Sequence, residues 1–178
     1  RATHMLEWVC EKVEGRYQMP KDAGVRNIKG YNALGEKILR ARMGEDFSDE
    51  LTPRQLPYIV IVVDEMADLM MQAKRDAETA ITRLAQKSRA VGIHVILATQ
   101  RPSTDVITGV LKGNLPTRIA FQVTSKIDSR VILDEGGADK LLQRGDMVYK
   151  PPGCNKMLHM QGACVEDEEL HGIIQHVI

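Results

Sequence analysis

Asp64 and Glu65 stand side by side at the end of Ile59 to Val63, five consecutive β-branched residues preceded by Pro57 and Tyr58. Such a pair can serve nucleotide hydrolysis: the first acid holds Mg²⁺ through its water shell, and the second polarises or orients the attacking water. The apolar run reads as a strand buried on both faces, as parallel sheets require. Open α/β sheets place their ligands at the C-terminal ends of such strands. Met66, Leu69 and Met70 resume at helical spacing behind the acids, which completes the pattern of a Walker B box. A core strand running into an acid-led helix looks the same, because the helix dipole favours carboxylates at its start. The box alone leaves both readings open.

Two further polar clusters follow apolar runs. Thr99, Gln100 and Arg101 close the segment IHVILATQRP, and Thr124 to Arg130 follows TRIAFQV. Between the first two runs, Ala77, Ile81, Leu84 and Ala85 mark a helix face from about Lys74 to Ala90, with Gly92 as its terminator. Strand, helix, strand is a βαβ unit, so its strands should be parallel. The three polar clusters are then expected to converge on one sheet edge. Gln100, beside the acid-bearing strand, suits the amide that senses a γ-phosphate or orients water. The plainer alternative is that Thr99 and Gln100 merely cap a strand.

The stretch Gly30 to Ile38 imitates the phosphate-cradling G-x-x-x-x-G-K-[ST] loop. Its lysine, Lys37, comes one position late, and Ile38 offers no hydroxyl to Mg²⁺. VRNIK before it is half polar, so the strand that a phosphate loop needs is absent. The sequence contains no Walker A motif.

The remaining elements frame these clusters. Met5, Leu6, Val9, Val13 and Tyr17 recur at helical spacing from about Thr3 to Gln18, a helix expected to end near Pro20. A short helix over Tyr31 to Met43 and a surface loop over Gly44 to Pro57 follow. Ser103, Thr104 and Asp105 read as the N-cap of a helix over Val106 to Lys112. Ser125 to Leu133 reads as a helix ended by Gly136-Gly137. Met147 to Tyr149 should pair with Met157 to Met160 across a Pro-Pro-Gly loop, and an acidic cap at Glu166 to Glu169 opens a last helix to about Val177.

Composition narrows the class. The chain has 178 residues, 43% hydrophobic and 27% charged, which is a globular domain of ordinary size. The three cysteines show no C-x-x-C spacing and the histidines are scattered, which argues against a disulfide framework or a metal cluster and fits a reducing compartment. No apolar run is long enough to span a membrane. The formal net charge is zero, so any nucleic-acid contact must be local. From Thr99 to Arg130, five basic residues (Arg101, Lys112, Arg118, Lys126 and Arg130) face two acids (Asp105 and Asp128), a net +3. The first residue is Arg and a helical pattern begins at once, as expected of a piece of a longer chain.

VIVVDEMADLM, RLAQKSRAVGIHVILATQRPSTDVITGVLKGNLPTRIAFQVTSKIDSR and the later GDMVY together resemble the motor domain of the FtsK/SpoIIIE bacterial DNA translocases. The resemblance is nearly gap-free from Tyr58 to Tyr149, and GVRNIKGYN upstream also fits; Arg42 to Leu56 and the turn Cys154–Met160 are idiosyncratic. It implies an α/β, RecA-like P-loop ATPase core with a mostly parallel sheet, closed by a C-terminal β-hairpin and helix. Residues 1–178 would be a fragment of one motor domain, with 1–57 a helical and loop lead-in and 58–178 running from the Walker B strand to the last helix. The parent would be a homo-hexameric ring that moves double-stranded DNA by hydrolysing ATP with Mg²⁺ as cofactor, for chromosome segregation and cell division.

Position by position, the resemblance makes Asp64 the Mg²⁺ acid, Glu65 the catalytic acid and Gln100 the sensor amide, with Thr99 beside the nucleotide. It makes Arg89 an arginine finger offered to a neighbouring subunit, where the bare sequence shows only a cation near a helix end. It places DNA contacts at Arg101 and Lys112 and at Lys126 and Arg130. The segment itself would be cytoplasmic and free of membrane contact, in a parent anchored at the bacterial inner membrane or division septum. Without a Walker A loop the 178-residue chain should hydrolyse no ATP. Two rivals remain: a related ring ATPase that pumps protein or conjugative DNA, and a non-catalytic assembly module. The TQRPS and TSKIDSR stretches favour the duplex-DNA branch.

Overall fold

The computed structural model describes residues 2–48, 52–154 and 156–178. Asp49 to Leu51 within the expected surface loop, Asn155 within the idiosyncratic turn, and the side chains of Met5 and Leu6 lie outside the described residues. Among the described residues the elements run α1 (Ala2–Asp22), α2 (Ile28–Asn32), α3 (Glu36–Met43), a 3₁₀ turn (Gly44–Asp46), β1 (Ile59–Val63), α4 (Met66–Lys87) and β2 (Ile93–Leu97). Then come α5 (Gly109–Asn114), β3 (Arg118–Ala120), α6 (Lys126–Leu133), a second 3₁₀ turn (Ala138–Lys140), β4 (Asp146–Lys150), β5 (Leu158–Gln161) and α7 (Asp167–Val177). By internal contact the chain forms two compact units. The first holds the residues up to Arg101 together with Thr108–Asn114, and the second holds Pro102–Ile107 and Leu115–Ile178.

In the first unit β1 and β2 pair in parallel, Ile59 opposite Ile93 and Val63 opposite Leu97, as the βαβ pattern requires. Ile59, Ile61 and Val95 face a core built from Val9, Cys10 and Val13 of α1 and Ala80 and Leu84 of α4. The opposite face is open. Val60, Val62 and Ile96 are 59%, 64% and 53% exposed, so the strand expected to be buried on both faces is covered on one. α1 and α4 cover only that inner side, and no described element of this unit packs on the outer one. Around α2 and α3 a second cluster gathers Ala23, Ile28, Tyr31, Leu39, Met43 and Leu56. Asn32 clamps it, donating to the Leu56 carbonyl and accepting from the Leu56 amide, both at 2.8 Å. Gly92 adopts φ +71°, and a Cβ there would meet Ile28 at 2.6 Å, so glycine is needed at this turn into β2.

Several boundaries differ from the sequence pattern. α1 runs through Pro20 to Asp22, because the turn beyond it is anchored by Ala23, wholly buried in the second cluster. α4, by contrast, matches the pattern: Ala73 is non-helical (φ −152°, ψ 62°) and divides Met66 to Lys87 into two helical segments, close to the expected start near Lys74. α5 starts at Gly109 rather than Val106. The Thr108 hydroxyl accepts from the Leu111 amide and so starts that helix, whereas the Ser103 carbonyl takes the amides of Val106 and Ile107 in a separate turn. The Gly30 to Ile38 imitation lies across α2 and α3, with Gly35 as the N-cap of α3.

The second unit is antiparallel. β4 pairs with β5, Met147 opposite Met160 and Tyr149 opposite Leu158, which is the expected hairpin. β3 does not extend the parallel pair: it lies on the other edge of β4, with Ile119 opposite Tyr149. Leu133, Ala138, Leu141 and Val148 close the core around Ala120. α6 begins with the Ser125 hydroxyl accepting from the Asp128 amide and ends at Asp134 in the left-handed region (φ 66°), before the glycine pair expected to stop it. α7 carries a capping box between Glu166 and Glu169.

Candidate active site

The first unit brings Asp64, Glu65, Thr99, Gln100 and Arg101 together at the C-terminal ends of β1 and β2. The ladder continues past the strands: the Ala98 amide donates to Val63 and the Met66 amide to Ala98, each at 2.8 Å. This places Thr99 directly beside Glu65. The Glu65 side chain is the N-cap of α4, accepting from the Ala67 amide at 2.9 Å. It also accepts from the Thr99 hydroxyl at 2.5 Å and from the Gln100 amide at 2.9 Å. Those bonds, Thr99 first and then Gln100 and Ala67, together with the nearby charge of Arg101, hold its carboxyl below the usual carboxylate range. The capping reading is therefore met by the Ala67 bond. Glu65 starts a helix and also faces the strand ends.

Asp64 is exposed, with no hydrogen-bond or ion-pair partner among the described residues. A free carboxylate of this kind is a hard oxygen donor suited to a hydrated Mg²⁺. Gln100 is also exposed and is held by its backbone amide, which donates to Glu65, while its side-chain amide makes no internal bond among the described residues. Arg101 donates its amide to the Thr99 hydroxyl at 3.1 Å and rests its guanidinium against the Met71 sulfur at 3.5 Å. Lys112 belongs to the same unit, on α5, which is tied to α4 by the Thr108 hydroxyl donating to Glu78 and by Gln86 donating to Asn114 at 3.2 Å.

Arg89 is not brought to this cluster. It sits exposed in the turn before β2, at the opposite end of a five-residue strand, on the order of 16 Å away along the strand. Lys126 and Arg130 lie on α6 in the second unit, both exposed. Arg118, one of the five cations in the local balance, turns inward: it donates to Asp134 at 2.6 Å and to the Ile132 carbonyl at 2.8 Å. Lys150 joins the same acid at 3.6 Å. Sequence reasoning missed two features here. The Thr99–Glu65 bond was foreshadowed only by a hydroxyl following an apolar run. The Asp146–His159 pair across β4 and β5 had no signal beyond the hairpin itself.

The family model described as the FtsK/SpoIIIE family matches residues 1–104. The chain belongs to the FtsK/SpoIIIE family. It is 52% identical over 178 residues to the DNA translocase SpoIIIE of Bacillus subtilis (strain 168), covering all of this chain and 22% of that protein. Against the DNA translocase FtsK of Pseudomonas syringae pv. tomato it is 49% identical over 186 residues, covering 98% of this chain and 23% of that protein. The chain thus spans about a fifth of the length of the curated relatives it matches.

Among solved structures, that of the pCW3 conjugation coupling protein TcpA, monomer form with ATPγS, is similar with a TM-score of 0.72 and 24% identity, over 99% of this chain and 49% of that one. The cytoplasmic domain of the type VII secretion ATPase EccC from Thermomonospora curvata gives 0.70 and 24%, over 93% of this chain and 18% of that one. Likeness at this identity shows the fold alone, a mixed α/β arrangement shared with those two proteins. No helix of the described residues is long and apolar enough to cross a membrane. No cluster of His, Cys, Asp and Glu among them forms a ready metal site.

Proposed function

We propose that this chain supplies the acid-bearing half of the ATP site in a double-stranded DNA translocase, and that its two units belong to one motor domain. The observation that carries this is the Glu65 cluster, where an acid, a hydroxyl, an amide and an exposed aspartate meet at the ends of two parallel strands in a chain of this family. Asp64 holds the hydrated Mg²⁺, Glu65 orients the attacking water and accepts its proton, and Gln100 positions that water, with Thr99 beside the nucleotide. The bound Mg²⁺ supplies charge neutralisation at the phosphates. The phosphate loop comes from outside these 178 residues, so the chain alone turns over no ATP.

Arg89, exposed and remote from the acids of its own subunit, serves a neighbour's nucleotide in a homo-hexamer. Arg101 and Lys112 in the first unit, and Lys126 and Arg130 in the second, contact DNA phosphates without reading sequence. Arg118 is left out of that set by its internal ion pair. The segment is cytoplasmic, in a parent held at the inner membrane or septum.

The deciding experiment is ATP turnover by the intact parent protein with linear duplex DNA, single-stranded DNA or no polymer. Strong stimulation by duplex alone, with displacement of a bound third strand, is the expected result. Equal stimulation by single strands, or turnover indifferent to both, would transfer the chain to a conjugative or protein-pumping motor.

A further inference from the structure

We propose that α7 of one copy docks in a groove at the end of α1 in the next copy, strapping neighbouring subunits head to tail; this rests on the reading of the parent as a ring of identical chains. Both halves of the contact stand uncovered among the described residues. In α7 the apolar residues Leu170, Ile173, Ile174 and Val177 fall at i, i+3, i+4 and i+7, which makes one continuous stripe. They are 45% to 79% exposed, and no described residue of α7 is buried. A helix in a protein draws most of its stability from covering such a stripe. Recognition of a helix by a groove uses the same four positions as anchors.

The groove, of about 550 Å³, lies in the first unit between the C-terminal turns of α1 and the turn before β2, with Tyr17, Pro20, Lys21, Val25, Arg26 and Val91 in its lining. Its floor is apolar: Val91 and Pro20 are buried, and Tyr17 stands half exposed beside them. Its walls are fixed. The Val91 carbonyl accepts from Arg16, the Ala90 carbonyl from the Ile28 amide at 2.8 Å, and the Pro20 carbonyl from the Val25 amide at 2.8 Å. With those acceptors taken, the groove selects by shape and charge. Lys21 and Arg26 are exposed and without an ion pair among the described residues, while Asp22 between them accepts from the Gln18 side chain at 2.5 Å. Charge is what favours α7 as the occupant. Glu166 and Glu169 are tied into its capping box, which leaves the carboxylates of Asp167 and Glu168 unpaired among the described residues, just ahead of Leu170. Two cations beside an apolar floor thus meet two acids beside an apolar stripe. Groove and helix are different patches, so the contact is heterologous and can repeat around a ring. Arg89 adjoins Ala90 in the groove wall, so the finger and the docked helix would face the same neighbour.

The test uses the intact parent protein with a non-hydrolysable ATP analogue and linear duplex DNA, and reads assembly by sedimentation velocity. Lys21→Glu with Arg26→Glu puts acids in the groove, and Asp167→Lys with Glu168→Lys puts cations on the helix. Either pair alone should weaken assembly on the order of a hundredfold, because like charges then face each other. Two combinations should restore it: the two variants mixed, whose unlike faces alternate around the ring, and all four substitutions in one chain. Restoration also separates a lost contact from a helix weakened by cations at its start, which no change in the groove could repair. Assembly indifferent to either pair, or restored by fewer than both combinations, would overturn the docking. Rescue in the fourfold variant without rescue by mixing, in particular, would deny the exchange between copies. The wild type separates the two ideas. If it stays monomeric under these conditions, the ring reading has failed and the strap falls with it. If it forms a ring that ignores the charge swaps, the strap alone has failed.

Discussion

At the start of β1 and β2 the polar ends of the strands are satisfied by an arginine, whereas at their finish they gather around a glutamate. Arg16 reaches from α1 to the carbonyls of Pro57 and Val91, bonding Val91 through both Nε (3.2 Å) and Nη2 (3.1 Å). It is 8% exposed, and burial pushes its guanidinium pKa down while leaving it charged. All its partners among the described residues are backbone carbonyls, which cannot rearrange without moving the strands. Glu65 is only partly buried, one of its donors is a rotating side chain, and Asp64 and Gln100 beside it are open to solvent. Both ends answer the same need to pair polar groups where strands stop. The difference lies in what can be exchanged. Fixed backbone partners make a brace, while replaceable partners beside exposed oxygen donors make a site for chemistry.

Substitutions at the two ends should therefore fail in different ways. The largest effect is expected for Asp64→Ala in the intact parent: turnover falls on the order of a thousandfold or more, with the unfolding midpoint nearly unchanged. Steady-state hydrolysis and thermal melting measured together check this, and a stability loss matching the activity loss would erase the contrast. Arg16→Met comes next. It leaves the buried carbonyl of Val91 and the part-buried carbonyl of Pro57 without their charged donor and should cost about 3 kcal/mol in denaturant unfolding of the 178-residue chain. A loss below about 1 kcal/mol would mean that water replaces the brace readily.

The smallest effect concerns acid. Asp146 in the second unit is held below the usual carboxylate range by the Leu142 amide first, and by His159. A depressed carboxyl adds stability that is present above the unfolded value, near 4, and is lost as pH falls through the folded one. The melting temperature should therefore decline as pH drops below about 4, and Asp146→Asn should flatten that limb without altering the neutral-pH plateau slope. An unchanged acid limb in Asp146→Asn would assign it to Glu65, whose carboxyl is shifted the same way.

How much of this was legible beforehand follows from how local each feature is. β1, β2, their parallel pairing and the β4–β5 hairpin were readable because apolar runs and turn residues lie within each segment. The partner of β3 was not, because three residues carry no mark of which edge they will join. The start of α5 was misplaced because Ser103 to Asp105 offers good capping side chains, yet the Thr108 hydroxyl does the capping while also bonding Glu78. Three polar clusters were expected at one sheet edge: the acids and Thr99 to Arg101 share one because each ends a strand of the parallel pair, whereas Thr124 to Arg130 follows β3, which joins a separate antiparallel sheet. The wiring between the first two was not visible, since a hydrogen bond across 34 positions of chain leaves no pattern in the sequence. Arg118 looked like any surface cation, and only the fold turns it toward Asp134.

The central claim is that Glu65 does chemistry while its neighbours hold the nucleotide, and Glu65→Gln in the intact parent tests it most directly. Gln keeps the size and can still cap α4, but its amide cannot accept a proton. The protein should bind ATP with near wild-type affinity and retain it uncleaved in the presence of duplex DNA, so that acid quenching releases ATP rather than ADP. Recovery of ADP at the wild-type rate would contradict the account and leave Glu65 as a helix cap alone.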